Sequence, residues 1–214
     1  MNTESSSDVV TKLKHTAGDI VQRGKDVREE IAKLVASAAA TFHQSADGLV
    51  SLAKAVTEGA AEGARRVMPE DADSLLRPVV SGLSDGFTKV AETVKLALQE
   101  STGNGTRFAN EDLDKIVQDL RSVGESFVST IHQATSSITG HVANQAKSLT
   151  DHAGKALQDM RPAIDSAIAS AKQDPVKLGA ETVHAGASAA REAAGVLFSE
   201  LGGLLQSAGQ KLRQ

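Results

Sequence analysis

Six histidines, one Ser-x-x-Lys spacing and two Gly-x-x-x-Gly spacings are the features of this 214-residue chain whose residue types could do chemistry. The histidines are His15, His43, His132, His141, His152 and His184. His141 and His152 share one helical stripe, but eleven residues of helix separate them by ~16 Å along the axis. They cannot hold one metal, and no HxxxH or HExxH spacing occurs. Ser51-Leu52-Ala53-Lys54 matches the SxxK of penicillin-recognising serine enzymes, yet no SDN or KTG accompanies it and it lies inside an unbroken helical register. No GxSxG and no phosphate-cradling glycine loop is present. The expectation is a protein that is not an enzyme, with no catalytic residue, metal or cofactor, whose histidines sit on polar faces or seam edges. Gly59-x-x-x-Gly63 and Gly82-x-x-x-Gly86 each enclose an acid, so close packing of water-exposed helices suits them better than pairing in lipid.

Composition narrows the elements that must carry these residues. Hydrophobic residues make up 40% of the chain and aromatics only 2%, with five Phe and neither Trp nor Tyr. A core of Ala, Val, Leu and Ile buries little apolar area per residue, so it needs long, repetitive contact. The absence of cysteine excludes a disulfide framework and a thiolate site. A net charge of −4 with interspersed signs, and few aromatic platforms, argue against nucleic acid as a partner. No run reaches the roughly 18 apolar residues of a membrane span, and the polar first residues make no signal peptide. The expectation is a cytoplasmic protein, peripheral on granules or membrane if it meets one.

Periodicity gives the architecture. From Val9 through Leu13, Ile20, Val27, Val35, Ala38, Phe42, Ala46, Leu49 and Val56 to Val67, sixteen steps of three or four cover 58 residues, 3.625 per step, without landing on a charge. A second line from Leu113 through Leu120, Phe127, Ile131, Ile138, Leu149 and Met160 to Ala171 repeats the count over 58 residues, with Pro162 inside it as an expected kink. Shorter lines run from Leu76 to Ala97 and from Val176 to Leu212. The spacing predicts an all-α, Ala-rich, elongated bundle of four nearly straight segments, long-short-long-short, at about 8–67, 74–100, 111–172 and 176–212. Residues 8–214 form one domain after a disordered 1–7. A strict heptad would give 3.5 and a supercoil, so zipper pairing is disfavoured.

Sixty residues of helix would span ~90 Å, against a radius of gyration of about 17 Å for a compact chain of this size. Either the bundle is elongated or each long line folds back, with hinges available near Gly48 and Gly140; the unbroken register favours long helices. Asp73, Asn110 and Asp174-Pro175 mark helix starts. Acid-to-base pairs at i,i+4, among them Glu29/Lys33, Glu62/Arg66, Asp85/Lys89 and Asp151/Lys155, mark solvated faces. Residues 126–146 hold no charge and 34–53 only Asp47, so an antiparallel pairing of the two lines, in a homodimer, would set these centres side by side.

The stretches Leu34–Val56, Phe127–Ala156 and Ala193–Gly209 make the chain resemble the phasins, which coat polyhydroxyalkanoate granules, and apolipoprotein-like and late-embryogenesis-type helical proteins. The frequent Val, Leu and Ile depart from the very hydrophilic embryogenesis type. The resemblance implies association with a hydrophobic granule, lipid or membrane surface through a stripe that includes Ala38, Phe42, Ala46, Leu49, Phe127, Ile131, Ile138, Leu197, Phe198, Leu201 and Leu205. The alternative is a self-associating helical scaffold or adaptor whose stripes stay buried.

Overall fold

A computed structural model describes residues 6–42, 48–67, 72–103, 110–136 and 143–172. All the secondary structure among them is helical: α1 (Ser6–Arg23), α2 (Val27–Phe42), α3 (Gly48–Val67), α4 (Ala72–Gly103), α5 (Asn110–Ser136) and α6 (Ala143–Lys172). Each presents apolar residues at three- and four-residue intervals, so each must bury one face against others.

Glycine and hydroxyl contacts fix how the helices run. Gly59 and Gly63 of α3 meet Lys14 and Gly18 of α1 in the same order along both chains, so α1 and α3 are parallel. Gly82 and Gly86 of α4 meet Arg28 and Ala32 of α2 in the same sense. Between α4 and α6, Arg77 reaches Ser148, Ser81 reaches His152 and Ser84 reaches Ala156, again in parallel. By contrast His132 meets Thr150 while Gly124 lies near Ile164, so α5 and α6 are antiparallel. Short connections make each successive pair α1–α2, α3–α4 and α5–α6 a helical hairpin. The three hairpins stack: α1, α3 and α5 are neighbours in one row, α2, α4 and α6 in the other, and α3 also touches α2 and α4.

One apolar core runs through all six helices. Its largest fully buried side chains include Phe87, Phe127, Ile31, Leu52 and Met160, and Ala17, Ala53, Ala60, Ala64, Ala153 and Ala167 fill the close seams between them. A buried Leu or Phe contributes about 1.5–3 kcal/mol, whereas an alanine methyl contributes about 0.8. Phe87 of α4 and Phe127 of α5 meet edge to face, with ring centroids 6.5 Å apart. Two buried hydroxyls find carbonyls: Thr57 donates to that of Ala53 at 2.8 Å, and Ser84 donates across the α4–α6 seam to that of Ala156 at 2.7 Å.

The expected all-α class holds, but the four-segment count is replaced by six helices among the described residues. The first long line is broken at Gly24-Lys25-Asp26. Gly24 takes φ +66° and Asp26 φ +50°, left-handed values that reverse the chain. Gly24 N donates to the carbonyls of Ile20 and Val21, closing α1 as a glycine C-cap does. Arg23 pairs with Glu30 across the turn at 2.5 Å. The line passed through because a three-residue turn occupies almost one helical period and leaves the stripe in phase. It breaks again between Phe42 and Gly48, and the second line between Ser136 and Ala143, beside the two expected hinges; residues 43–47 and 137–142 themselves lie outside the described residues. α4 starts at Ala72, before the expected cap Asp73, whereas α5 begins at Asn110 as its acidic start implied. α1 begins at Ser6, two residues before the expected boundary, and the fourth expected segment, 176–212, lies outside the described residues. α6 continues through Pro162 and α4 through Pro78.

Candidate functional site

Four residues of the expected apolar stripe lie in or against the core of the hairpin stack. Leu49, Phe127 and Ile131 are buried in the core, and Ala38 is half-buried against it. Phe42 is the last residue of α2; Ala46, Ile138, Leu197, Phe198, Leu201 and Leu205 lie outside the described residues. α3, from the first line, and α5, from the second, pack together within one chain. Among the described residues, Val67 and Leu96 are the large apolar side chains left exposed, at 46% and 63%.

The glycine pairs set how close the helices come. A Cβ on Gly63 would lie 2.5 Å from the Gly18 carbonyl oxygen, and one on Gly86 2.6 Å from Val35 Cβ. A Cβ on Gly59 would run into the backbone of Lys14, and one on Gly82 would lie 2.5 Å from the Arg28 carbonyl oxygen. Both Gly-x-x-x-Gly spacings are therefore packing devices between parallel helices of one row. Gly18, the partner of both Gly59 and Gly63, carries no such spacing of its own, and only the fold reveals it. Gly154 of α6 has nothing within 4 Å of its Cβ position. Gly154→Ala is therefore expected to raise stability by up to ~1 kcal/mol through helix propensity, read as a rise in thermal midpoint.

Ion pairs join the helices at the surface. Arg28 of α2 forks onto Asp85 of α4, with Nε–Oδ2 2.6 Å and Nη2–Oδ1 2.9 Å, and Lys14 of α1 pairs with Glu58 of α3. The hydrogen bond to Asp85, then its charge, raises the Arg28 pKa above its ordinary value. Within α2 the Lys33 hydrogen bond, then its charge, holds the Glu29 carboxyl below its ordinary value. A lowered carboxyl pKa gives stability that is present at neutral pH and lost as pH falls through the folded-state value. Asp85 thus faces Arg28 instead of its expected i,i+4 partner Lys89, while Glu29–Lys33 and Glu62–Arg66 form as expected. Arg28 is 63% exposed, so solvent screens the pair, and a double-mutant cycle on Arg28 and Asp85 is expected to return about 0.2–1 kcal/mol.

Ser51 and Lys54 are both exposed on α3, and Lys54 lies 3.9 Å from Glu58. His15 and His132 are exposed, and His132 Nδ1 lies 3.2 Å from Thr150 Oγ1. His152 is half-buried at the α4–α6 seam, its Nε2 3.0 Å from Ser81 Oγ. His43, His141 and His184 lie outside the described residues. Among the described residues no three His, Asp or Glu side chains gather as metal ligands, and no helix is long and apolar enough to cross a membrane.

The wider groove on the α2–α4 face, about 680 Å³, runs beside the Arg28–Asp85 pair and is floored by Val27, Ala32 and Pro78. A smaller groove of about 310 Å³ between α4 and α6 is lined by Arg77, Lys147, Ser148, Asp151, His152 and Lys155. Spacing alone could have placed Lys147, Asp151 and Lys155 on one edge of α6. Arg77, seventy residues earlier in sequence, is joined to them only by the fold.

Residues 3–214 match a family of unknown function, DUF6781, and the chain belongs to that family. No curated protein and no solved structure matches it.

Proposed function

We propose that this member of DUF6781 is a non-enzymatic helical protein that associates with a hydrophobic surface (a storage granule, lipid or membrane) by opening its hairpins. One observation carries the reading: the apolar stripe keeps a single helical phase straight through the hairpin turns. Ile20, Gly24 and Val27 continue the count across the α1–α2 reversal, and Phe42, Ala46 and Leu49 continue it from α2 to α3. A hairpin stack places no such demand, because each helix needs only its own face turned inward. A long, nearly straight amphipathic helix lying on a surface does demand it. Opened, the first line becomes one helix of ~90 Å with an unbroken apolar face.

The energetics suit such an exchange. The seams are rich in alanine, the surface ion pairs are screened, and a stripe released from the core is reburied against the surface it meets. The protein is then cytoplasmic when free and peripheral on granule or membrane when bound, with the resemblance to phasins pointing the same way. The second reading, a self-associating scaffold or adaptor and homo-oligomer, is favoured by how few large apolar side chains the described residues of the closed stack leave exposed.

Co-sedimentation with apolar particles or vesicles, beside a thermal melt followed by circular dichroism, separates the two. The surface reading predicts that the protein pellets with the particles, keeps its helix content and loses the sharpness of its melt. A sharp melt unchanged by the surface, with the protein left in the supernatant, overturns it. Light scattering on the free protein then reports the oligomer that the scaffold reading requires.

A further inference from the structure

We propose that the segment Ala193–Gly209 of this chain docks into the groove between α5 and α6 and caps that end of the hairpin stack. The segment lies outside the described residues, and the chain leads to it from the end of α6 at Lys172. α5 and α6 form the last hairpin of the stack, and their residues alone line a groove of about 230 Å³. Gly124, Leu157, Ile164 and Ile168 make up its apolar part, with Leu157 and Ile168 only half-buried. Gly59, Gly63, Gly82 and Gly86 each lie under the backbone of a neighbouring helix. Gly124 has no such cover: a Cβ there would meet only Ile164 Cδ1 of its own hairpin, at 3.9 Å.

The chemistry of the groove selects its occupant. Arg121 and Arg161 are balanced by Glu125 and Asp165 on its rim, so it exerts no net pull on a charged ligand. At about 230 Å³ it also falls below the roughly 300–1,000 Å³ of small-molecule sites. An apolar, nearly neutral helix suits it. Ala193–Gly209 carries Glu200 as its one charge, and Ala194, Phe198, Leu201, Leu205 and Ala208 recur at steps of three and four. As a helix the segment would span ~26 Å, enough to cover α6 from Leu157 to Ile168, which is ~17 Å along the axis. Twenty-one residues separate Lys172 from Ala193 and could extend to ~70 Å, so reach is ample. That tether sets an effective concentration in roughly the millimolar range, which favours this segment over a second copy or a foreign helix. Stacked helical units also need an atypical element at their ends, because the last unit has no neighbour to bury its outer face.

The test uses the full chain with no surface present, so it does not depend on hairpin opening. Spin labels are placed on Gln158→Cys, an exposed position beside Leu157, and on Ser199→Cys, in a chain that has no other cysteine. Docking predicts one narrow distance below roughly 25 Å, since packed helix axes lie about 8–10 Å apart. Dilution with unlabelled chain should leave that distance unchanged. Phe198→Ser combined with Leu201→Ser alters the segment alone and should cut the short-distance population at least about tenfold. Gly124→Leu fills the groove beside Ile164 without touching the segment and should release it as well. In both variants the methyl NMR signals of Leu157, Ile164 and Ile168 should shift, while those of Ile20 and Ile31, buried in the first hairpin, report that the stack stays folded. A broad, long distance distribution in the parent chain overturns the proposal, as does a short distance that survives both variants. A short distance that disappears on dilution also overturns it and assigns the groove to a second copy. Failure of the protein to bind apolar particles leaves this result intact, so the two readings fail separately.

Discussion

Phe127→Ala should destabilise the protein by about 3–5 kcal/mol, the cost of deleting a fully buried aromatic ring. Phe127 is 1% exposed on α5, and its ring meets the edge of Phe87 on α4, so the substitution removes both a core anchor and a contact between the two rows. The remaining neighbours are held by their own helices and cannot simply collapse into the space. Aromatic geometry of this kind adds about 0.5–1.5 kcal/mol beyond burial. Against a total stability of about 5–15 kcal/mol, the loss is large. With a urea m-value near 1–3 kcal/mol/M it lowers the midpoint by about 1–5 M. A loss under 1 kcal/mol would mean that Phe127 does not anchor the α4–α5 contact. If hairpin opening precedes surface binding, the same variant binds apolar particles at lower concentration than the parent chain.

Gly59→Ala should also destabilise, although alanine is the better helix former. The added methyl would meet the backbone of Lys14, which has no rotamer to yield, so α1 must move off α3. Overpacking of this kind costs about 1–3 kcal/mol and occasionally more, set against a propensity gain of ~1 kcal/mol. Because the obstructing atoms are main chain, the clash wins and the net effect falls at the upper part of that range. The contrast with Gly154→Ala makes the result interpretable: one alanine on a helix lowers the thermal midpoint, the other raises it. If Gly59→Ala were stabilising, α1 and α3 could not be packed backbone to backbone through this seam.

How much of this was legible in the sequence depended on what periodicity can register. Its lines pass through Leu49, Phe127 and Ile131, which are buried, because burial is what such spacing reports. It could not register the reversal at Gly24-Lys25-Asp26, because a turn of nearly one helical period preserves phase. The glycine just past Arg23 was the available sign, since a basic last turn followed by glycine is how helices end. Gly59 and Gly63 were recognisable as a close-packing pair, but their partner Gly18 lies some forty residues away on a parallel helix, a relation that no local count contains. The same holds for Arg77 beside Lys147 and Lys155: the α6 edge was readable, the α4 contribution was not.

The central claim is that the α1–α2 hairpin opens into a continuous helix on a hydrophobic surface. The chain has no cysteine, so spin labels on Lys12→Cys and Lys33→Cys, both exposed positions, report a single distance. In the closed hairpin, neighbouring helix axes at 8–10 Å keep the labelled Cα atoms within roughly 20 Å of each other. In a continuous helix, 21 residues at 1.5 Å each place them ~32 Å apart. Pulsed electron-electron distance measurement should show the short distance in solution and the long one when the protein is bound to apolar particles. A short distance that persists in fully bound protein would contradict the account.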